Sequence, residues 1–160
     1  LAWALDKPVF TQCSLELQVR SALAQQPLDD GLVLSTIDAQ IGQLYWRWFD
    51  VQAGQLTTLS TARVTPGDSV TLPAHRSGAR AHCVLGSGCP AIRLSGVDVI
   101  AADTRFLADQ RPHAGVLAHW ITQNVHEAGA LTAVAPEGLC PEYVQQDIGW
   151  KKLADQPSRV

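Results

Sequence analysis

The chain has 160 residues, 46% hydrophobic and 17% charged, a balance that leaves room for one ordinary core and excludes a disordered polymer. Twelve Lys and Arg against fifteen Asp and Glu give a formal net charge of -3, so no global positive field exists to draw in nucleic acid by counterion release. Four cysteines (Cys13, Cys83, Cys89, Cys140) make no CxxC pair or regular framework, which fits reduced thiols in the cytoplasm, and the apolar stretches are too short and interrupted for a signal peptide or membrane span.

In chain order, residues 1–5 read as the last turn of a helix, and the absence of any methionine makes an N-terminally truncated fragment the expectation. Asp6-Lys7-Pro8 breaks that turn, and 9–13 follow as a short apolar strand. Ser14 can N-cap the next helix, where Glu16 falls in the first turn and Leu15, Val19, Ala22 and Leu23 recur at helical spacing before Pro27. Leu28-Asp29-Asp30-Gly31 is a polar turn and the best boundary between two structural units.

Residues 31–37 then read as a buried strand and 43–51 as a second one rich in aromatics, joined through 38–42. Leu44, Trp46 and Trp48 share one face of the second strand; Tyr45, Arg47, Phe49 and Val51 share the other. Both faces are largely apolar, so the strand is expected to be covered on both sides. A turn at 52–54 leads to a third antiparallel strand over 55–64. Thr65-Pro66-Gly67-Asp68 carries helix-start chemistry, with Thr65 as N-cap, but 69–73 are poor helix formers, so any helix there is short. Residues 81–86 read as a fourth strand ending in Gly86-Ser87-Gly88, and 97–102 as a fifth. A helix from about 112 to 126 carries Val116, Leu117, Trp120, Ile121 and Val125 on one side and stops at Gly129. An extended tail follows from Pro136. The order from Gly31 is βββαβα, after an initial strand-helix piece.

Candidate chemistry is sparse. Asp38 could orient a water or ligand, but Asp in a strand connection favours a turn role, bonding nearby backbone N–H groups, and no second carboxylate is paired with it for acid/base work. His119 and His126 lie on one helix face, yet about 10 Å apart along the axis, too far to share an ion. No HExxH or HxxxH pair occurs, so His75, His82, His113, His119 and His126 read as solvated or capping residues and no metal is expected. Gly86-Ser87-Gly88 lacks a Walker lysine and the third glycine of a dinucleotide fingerprint; a strand-ending turn explains it. Ser14, Ser69 and Ser95 have no GxSxG context, and Cys83 sits in an apolar strand where thiols are inert. A small-ligand module using Tyr45, Trp46 and Trp48 is conceivable, but core packing accounts for those rings.

The segment IDAQIGQLYW (37–46) resembles the I-D-A-R-x-G-E-V-Y-(W) stretch of the bacterial TsaB (YeaZ) family. Pro141-Glu142-Tyr143-Val144 with Gly149-Trp150-Lys151-Lys152-Leu153 is similar to that family's C-terminal P-x-Y-(L/V)…(A/G)-W-K-K-L ending. Leu1 to Leu5 with Lys7-Pro8-Val9 resembles its helix-strand junction, and Ser14-Leu15-Glu16 the S-T-L opening its next helix. The matches keep the family's order along nearly the whole chain.

The resemblance implies an α/β fold: a lobe of the actin-like ATPase (ribonuclease H-like) kind, with a mixed sheet of about five strands and flanking helices. Residues 1–30 would be a remnant of the first lobe, 31–135 the second lobe and 136–160 a C-terminal tail. It implies a non-catalytic partner of TsaD, the subunit that transfers threonylcarbamoyl to adenosine 37 of tRNA, with TsaE as an ATPase third member. tRNA would be met only indirectly, and no catalytic, metal or cofactor residue is implied. Asp38, Gly42, Tyr45, Tyr143, Trp150, Lys151 and Lys152 are the family-motif positions, structural or interacting. Gln40 departs from the motif, replacing its arginine and removing that charge. In the family the TsaD contact and the homodimer use mainly first-lobe helices; the present chain is therefore expected to bind TsaD poorly and to expose Val9, Phe10 and Leu15, favouring swapped or augmented dimers. The alternative is a peptidase- or kinase-like enzyme domain of the same superfamily, once labelled M22 glycoprotease, binding ATP or metal.

Overall fold

A six-stranded mixed sheet organises the molecule, a computed structural model that describes residues 2–125, 133–141 and 144. Its spine is an antiparallel hairpin of β2 (Gly31–Gln40) and β3 (Gln43–Gln52), in register from Gly31 opposite Val51 to Ile37 opposite Tyr45. On one side β6 (Ala81–Leu85) runs parallel to β2, and β7 (Ile100–Leu107) parallel to β6. On the other side two short strands share the outer edge of β3: β4 (Gln55–Thr58) lies against 49–52 and β5 (Arg63–Pro66) against 43–46.

The period-2 alternation of β3 determines which residues meet which layer. Leu44, Trp46 and Trp48 join Leu32, Leu34, Val84 and Val70 on one face, capped by Cys89 and Ile92 of α2 (Cys89–Ser95). Phe49 and Val51 join Val33, Cys83 and Leu85 on the other, covered by Leu15, Val19 and Ala22 of α1 (Ser14–Gln25). Trp46, Trp48 and Phe49 are fully buried, so the expectation that both faces are covered holds. Each large apolar side chain so enclosed contributes roughly 1.5–3 kcal/mol. Leu15 is only 4% exposed, which overturns the expected exposure of that residue: the sheet of 31–107 itself supplies the surface α1 lies on. Val9 and Phe10 are half-buried.

Outside this body, β1 (Val9–Phe10) pairs antiparallel with β8 (Ala133–Val134), and α3 (Ala114–Asn124) rests on α1. The Arg20 guanidinium stacks 4.1 Å from the centre of the Trp120 ring while ion-pairing with Glu16 at 2.8 Å. The histidine before α3 does cap it: the His113 Nδ1 accepts from the Gly115 N–H at 3.2 Å.

Several local expectations give way to tertiary packing. The third strand breaks in two, because the Leu59 N–H bonds the Trp48 carbonyl and the Ser60 hydroxyl accepts from the Trp48 N–H, pulling the edge out of regular pairing. Thr65 and Pro66 finish β5 rather than start a helix; strand pairing with Leu44 and Gln43 outweighs their cap chemistry, and only a 3-10 turn, Gly67–Ser69, follows. Ser14 is the first helical residue of α1, with Cys13 in the cap position and no side-chain cap bond. The short helix α2, with Pro90 in its first turn, was not expected. The last strand of the sheet is Ile100–Leu107, later than the predicted 97–102. Gly129 and His126 lie outside the described residues.

Candidate functional site

Three of the motif positions meet at one end of the β2–β3 hairpin. The Asp38 carboxylate accepts from the Gln40 N–H at 2.8 Å, a local turn bond two residues on, and the Asp38 N–H donates to the Ser87 hydroxyl at 2.9 Å. The register slips between Asp38 and Gln40, and Gln40, Ile41 and Gly42 then take φ of 65°, 53° and 73°. Two left-handed residues at Ile41-Gly42 make the tight turn whose twist suits a hairpin. A side chain on Gly42 would touch nothing, so its conformation alone selects glycine. Ile41, branched at Cβ and 94% exposed, has no such excuse and sits where its backbone is strained. Tyr45 is half-buried beside Ile37 against the α1-side core. Tyr143, Trp150, Lys151 and Lys152 lie outside the described residues.

Beneath that tip the Gly86-Ser87-Gly88 loop closes onto β2. A Cβ on Gly86 (φ 98°) would fall 2.0 Å from the Thr36 carbonyl oxygen, and one on Gly88 would fall 2.8 Å from the Thr36 hydroxyl. The close approach these glycines permit is thus to the neighbouring strand. Their amides are partly engaged too: the Gly86 N–H donates to the Leu107 carbonyl at 3.0 Å. Below, the Gln18 side chain, 1% exposed, aims its amide nitrogen at the Ser35 hydroxyl (3.0 Å), the Thr36 carbonyl (3.2 Å) and the Leu85 carbonyl (3.3 Å). The Thr36 hydroxyl donates to the Leu85 carbonyl at 2.9 Å. Sequence reasoning passed over Gln18, although a polar residue in the stripe of Leu15, Val19 and Ala22 is a signal that the core carries polar partners there.

Reactive groups are dispersed. Burial pushes the Cys83 thiol up to about 12, despite the opposing pull of Arg105, and the Cys89 thiol up to about 11, so both stay protonated near neutrality and neither is a ready nucleophile. The His82 ring lies 3.2 Å from Asp29 on the surface, while His113 caps α3. Among the described residues, no three His, Cys, Asp or Glu side chains gather where they could hold a metal ion, and no helix is long and apolar enough to cross a membrane.

The sequence matches no protein-family profile and no curated protein. Solved structures do match. An uncharacterized protein with similarity to peptidase YeaZ from Pseudomonas aeruginosa aligns at 22% identity and a TM-score of 0.71, over 90% of this chain and 62% of that one. YeaZ from Pseudomonas aeruginosa aligns at 22% identity and a TM-score of 0.67, over 89% of this chain and 62% of that one. The chain therefore has the α/β, actin-like (ribonuclease H-like) fold expected from its sequence, and it spans less than two thirds of the length of these structures.

Proposed function

We propose that this protein is a TsaB (YeaZ)-type subunit, a cytoplasmic scaffold that supports a TsaD-type enzyme in threonylcarbamoylation of adenosine 37 of tRNA without itself breaking or making the bond. The observation that carries the reading is the YeaZ-like fold over nine tenths of the chain, together with the IDAQIGQLYW segment, which forms the turn of the β2–β3 hairpin. The geometry of that hairpin supports it, since Asp38 spends its carboxylate on holding a turn, and the glycine loop spends its freedom on packing. A net charge of -3 supports reaching tRNA through a partner rather than directly. A TsaE-type ATPase and a second copy of the protein are the further partners of this reading.

The test is binding. The protein as encoded in its genome should co-purify with, and titrate calorimetrically against, the TsaD-type subunit of the same organism. Absence of a complex would overturn the proposal. Because one structural neighbour is described as similar to a peptidase, the same preparations should be assayed for peptide hydrolysis and for stoichiometric binding of ATP or Zn²⁺; a positive result there favours the enzyme reading instead.

A further inference from the structure

The segment that joins β5 to β6 crosses the tryptophan-bearing side of β3 with little to hold it. Its start is fixed: the 3-10 turn Gly67–Ser69 packs on α2, and Val70 enters the core. Its end is fixed as well, since the Arg80 guanidinium donates to the Ala79 carbonyl at 2.8 Å and to Asp98 at 2.6 Å, and the Ala81 N–H bonds the Val99 carbonyl. Between these anchors, residues 71–79 hold one further 3-10 turn, Ala74–Arg76, and none of them is buried. Among the described residues their backbone–backbone bonds, from the Arg76 N–H to the Pro73 carbonyl and from the Ala79 N–H to the Arg76 carbonyl, stay within the stretch. Side chains alone tie it to the sheet. The Trp48 indole N–H donates to the Thr71 carbonyl at 2.8 Å, and the Arg76 guanidinium donates to the Asp50 carboxylate at 2.5 Å.

We propose that residues 71–79 are a strap that opens as a unit, latched by the Arg76–Asp50 ion pair, and that its opening uncovers Trp48 without unfolding the sheet. Local opening costs most where apolar burial and backbone bonding are dense, and least where both are sparse. Leu72 and Ala79 are only partly buried against the core, so lifting the strap gives up little apolar contact, while Val70 and Arg80 stay behind as its hinges. Water replaces the Thr71 carbonyl as the partner of the indole N–H once the strap lifts. The ion pair is the stronger restraint. The Asp50 side chain is 10% exposed and the Arg76 side chain 40%, so a nearly enclosed carboxylate holds a guanidinium that reaches it from the strap. Removing that partner leaves the carboxylate enclosed and poorly paired, which favours the open form, where water reaches it. This inference is independent of the subunit role.

The test is native-state hydrogen exchange in ¹H–¹⁵N spectra at low urea concentrations. Relative to its intrinsic rate, the Trp48 indole N–H should exchange at least about a hundredfold faster than the backbone amides of Leu34 and Val84 in the interior strands β2 and β6. Its rate should hardly change with urea, because the strap exposes little surface, whereas the two amides should follow the steep urea dependence of global unfolding. Arg76→Gln should speed exchange of the indole N–H at least about tenfold, and Arg76→Lys by less, since a lysine keeps the charge but not the fork. Unshifted Leu34 and Val84 amide signals would establish that the variants are folded. Equal protection and equal urea dependence at Trp48, Leu34 and Val84, or an unchanged indole exchange rate in Arg76→Gln, would each overturn the proposal.

Discussion

The sheet body of α1 and β2 to β7 and the outer layer of β1, β8 and α3 are drawn from similarly apolar sequence yet end in different states. In the body, Trp46, Trp48, Phe49 and Leu34 are fully enclosed between two layers. In the outer layer, α3 carries Val116, Leu117, Trp120 and Ile121 but buries none of its residues, and Val9 and Phe10 are half-covered. An apolar stripe makes a core only when a second surface faces it; the β3 side chains have α1 on one side and α2 with Val70 on the other, whereas among the described residues the main surface that α3 meets is α1. Stability should therefore be concentrated in the body, and the outer layer should open at little cost.

Substitutions can break or sharpen that contrast. Trp48→Ala, which empties a fully buried site and removes the indole bond to Thr71, should cost about 4–5 kcal/mol in denaturant unfolding; a loss near 1 kcal/mol would mean the body is not the stable unit. Gly86→Ala should cost about 4 kcal/mol, since its methyl would meet the backbone of β2, which cannot turn aside, at a φ that alanine resists. By contrast Trp120→Ala, which loses the Arg20 contact on a half-exposed helix, should cost only about 1 kcal/mol, and a value matching Trp48 would erase the distinction. The smallest effect has the opposite sign: Ile41→Asn should stabilise by about 1 kcal/mol, because asparagine tolerates the left-handed backbone that a β-branched residue does not. No gain there would show that the hairpin tip is not strained.

The body was also the part most legible in the sequence. Alternation of Leu44, Trp46 and Trp48 against Tyr45, Phe49 and Val51 placed β3 and both of its faces, and Asp38 was readable as a turn residue because its bond is local. Where long-range contacts decide, the reading slipped. The split of the third strand depends on Ser60 reaching Trp48, and nothing in the local sequence announces it. The start of β7 was set three residues early because Val97 and Val99, apolar enough for a strand, pack into the core from the approach to it. The helix α2 escaped notice because seven residues opening with Cys89-Pro90 carry too few turns to display a period.

The most direct test of the subunit role is a reconstituted modification reaction containing tRNA, the TsaD-type and TsaE-type proteins, and the threonylcarbamoyl donor, run with and without the encoded protein. The account predicts that modification of adenosine 37 depends on adding this protein and that this protein alone produces none. Modification at full rate in its absence, or turnover by it in isolation, would contradict the account.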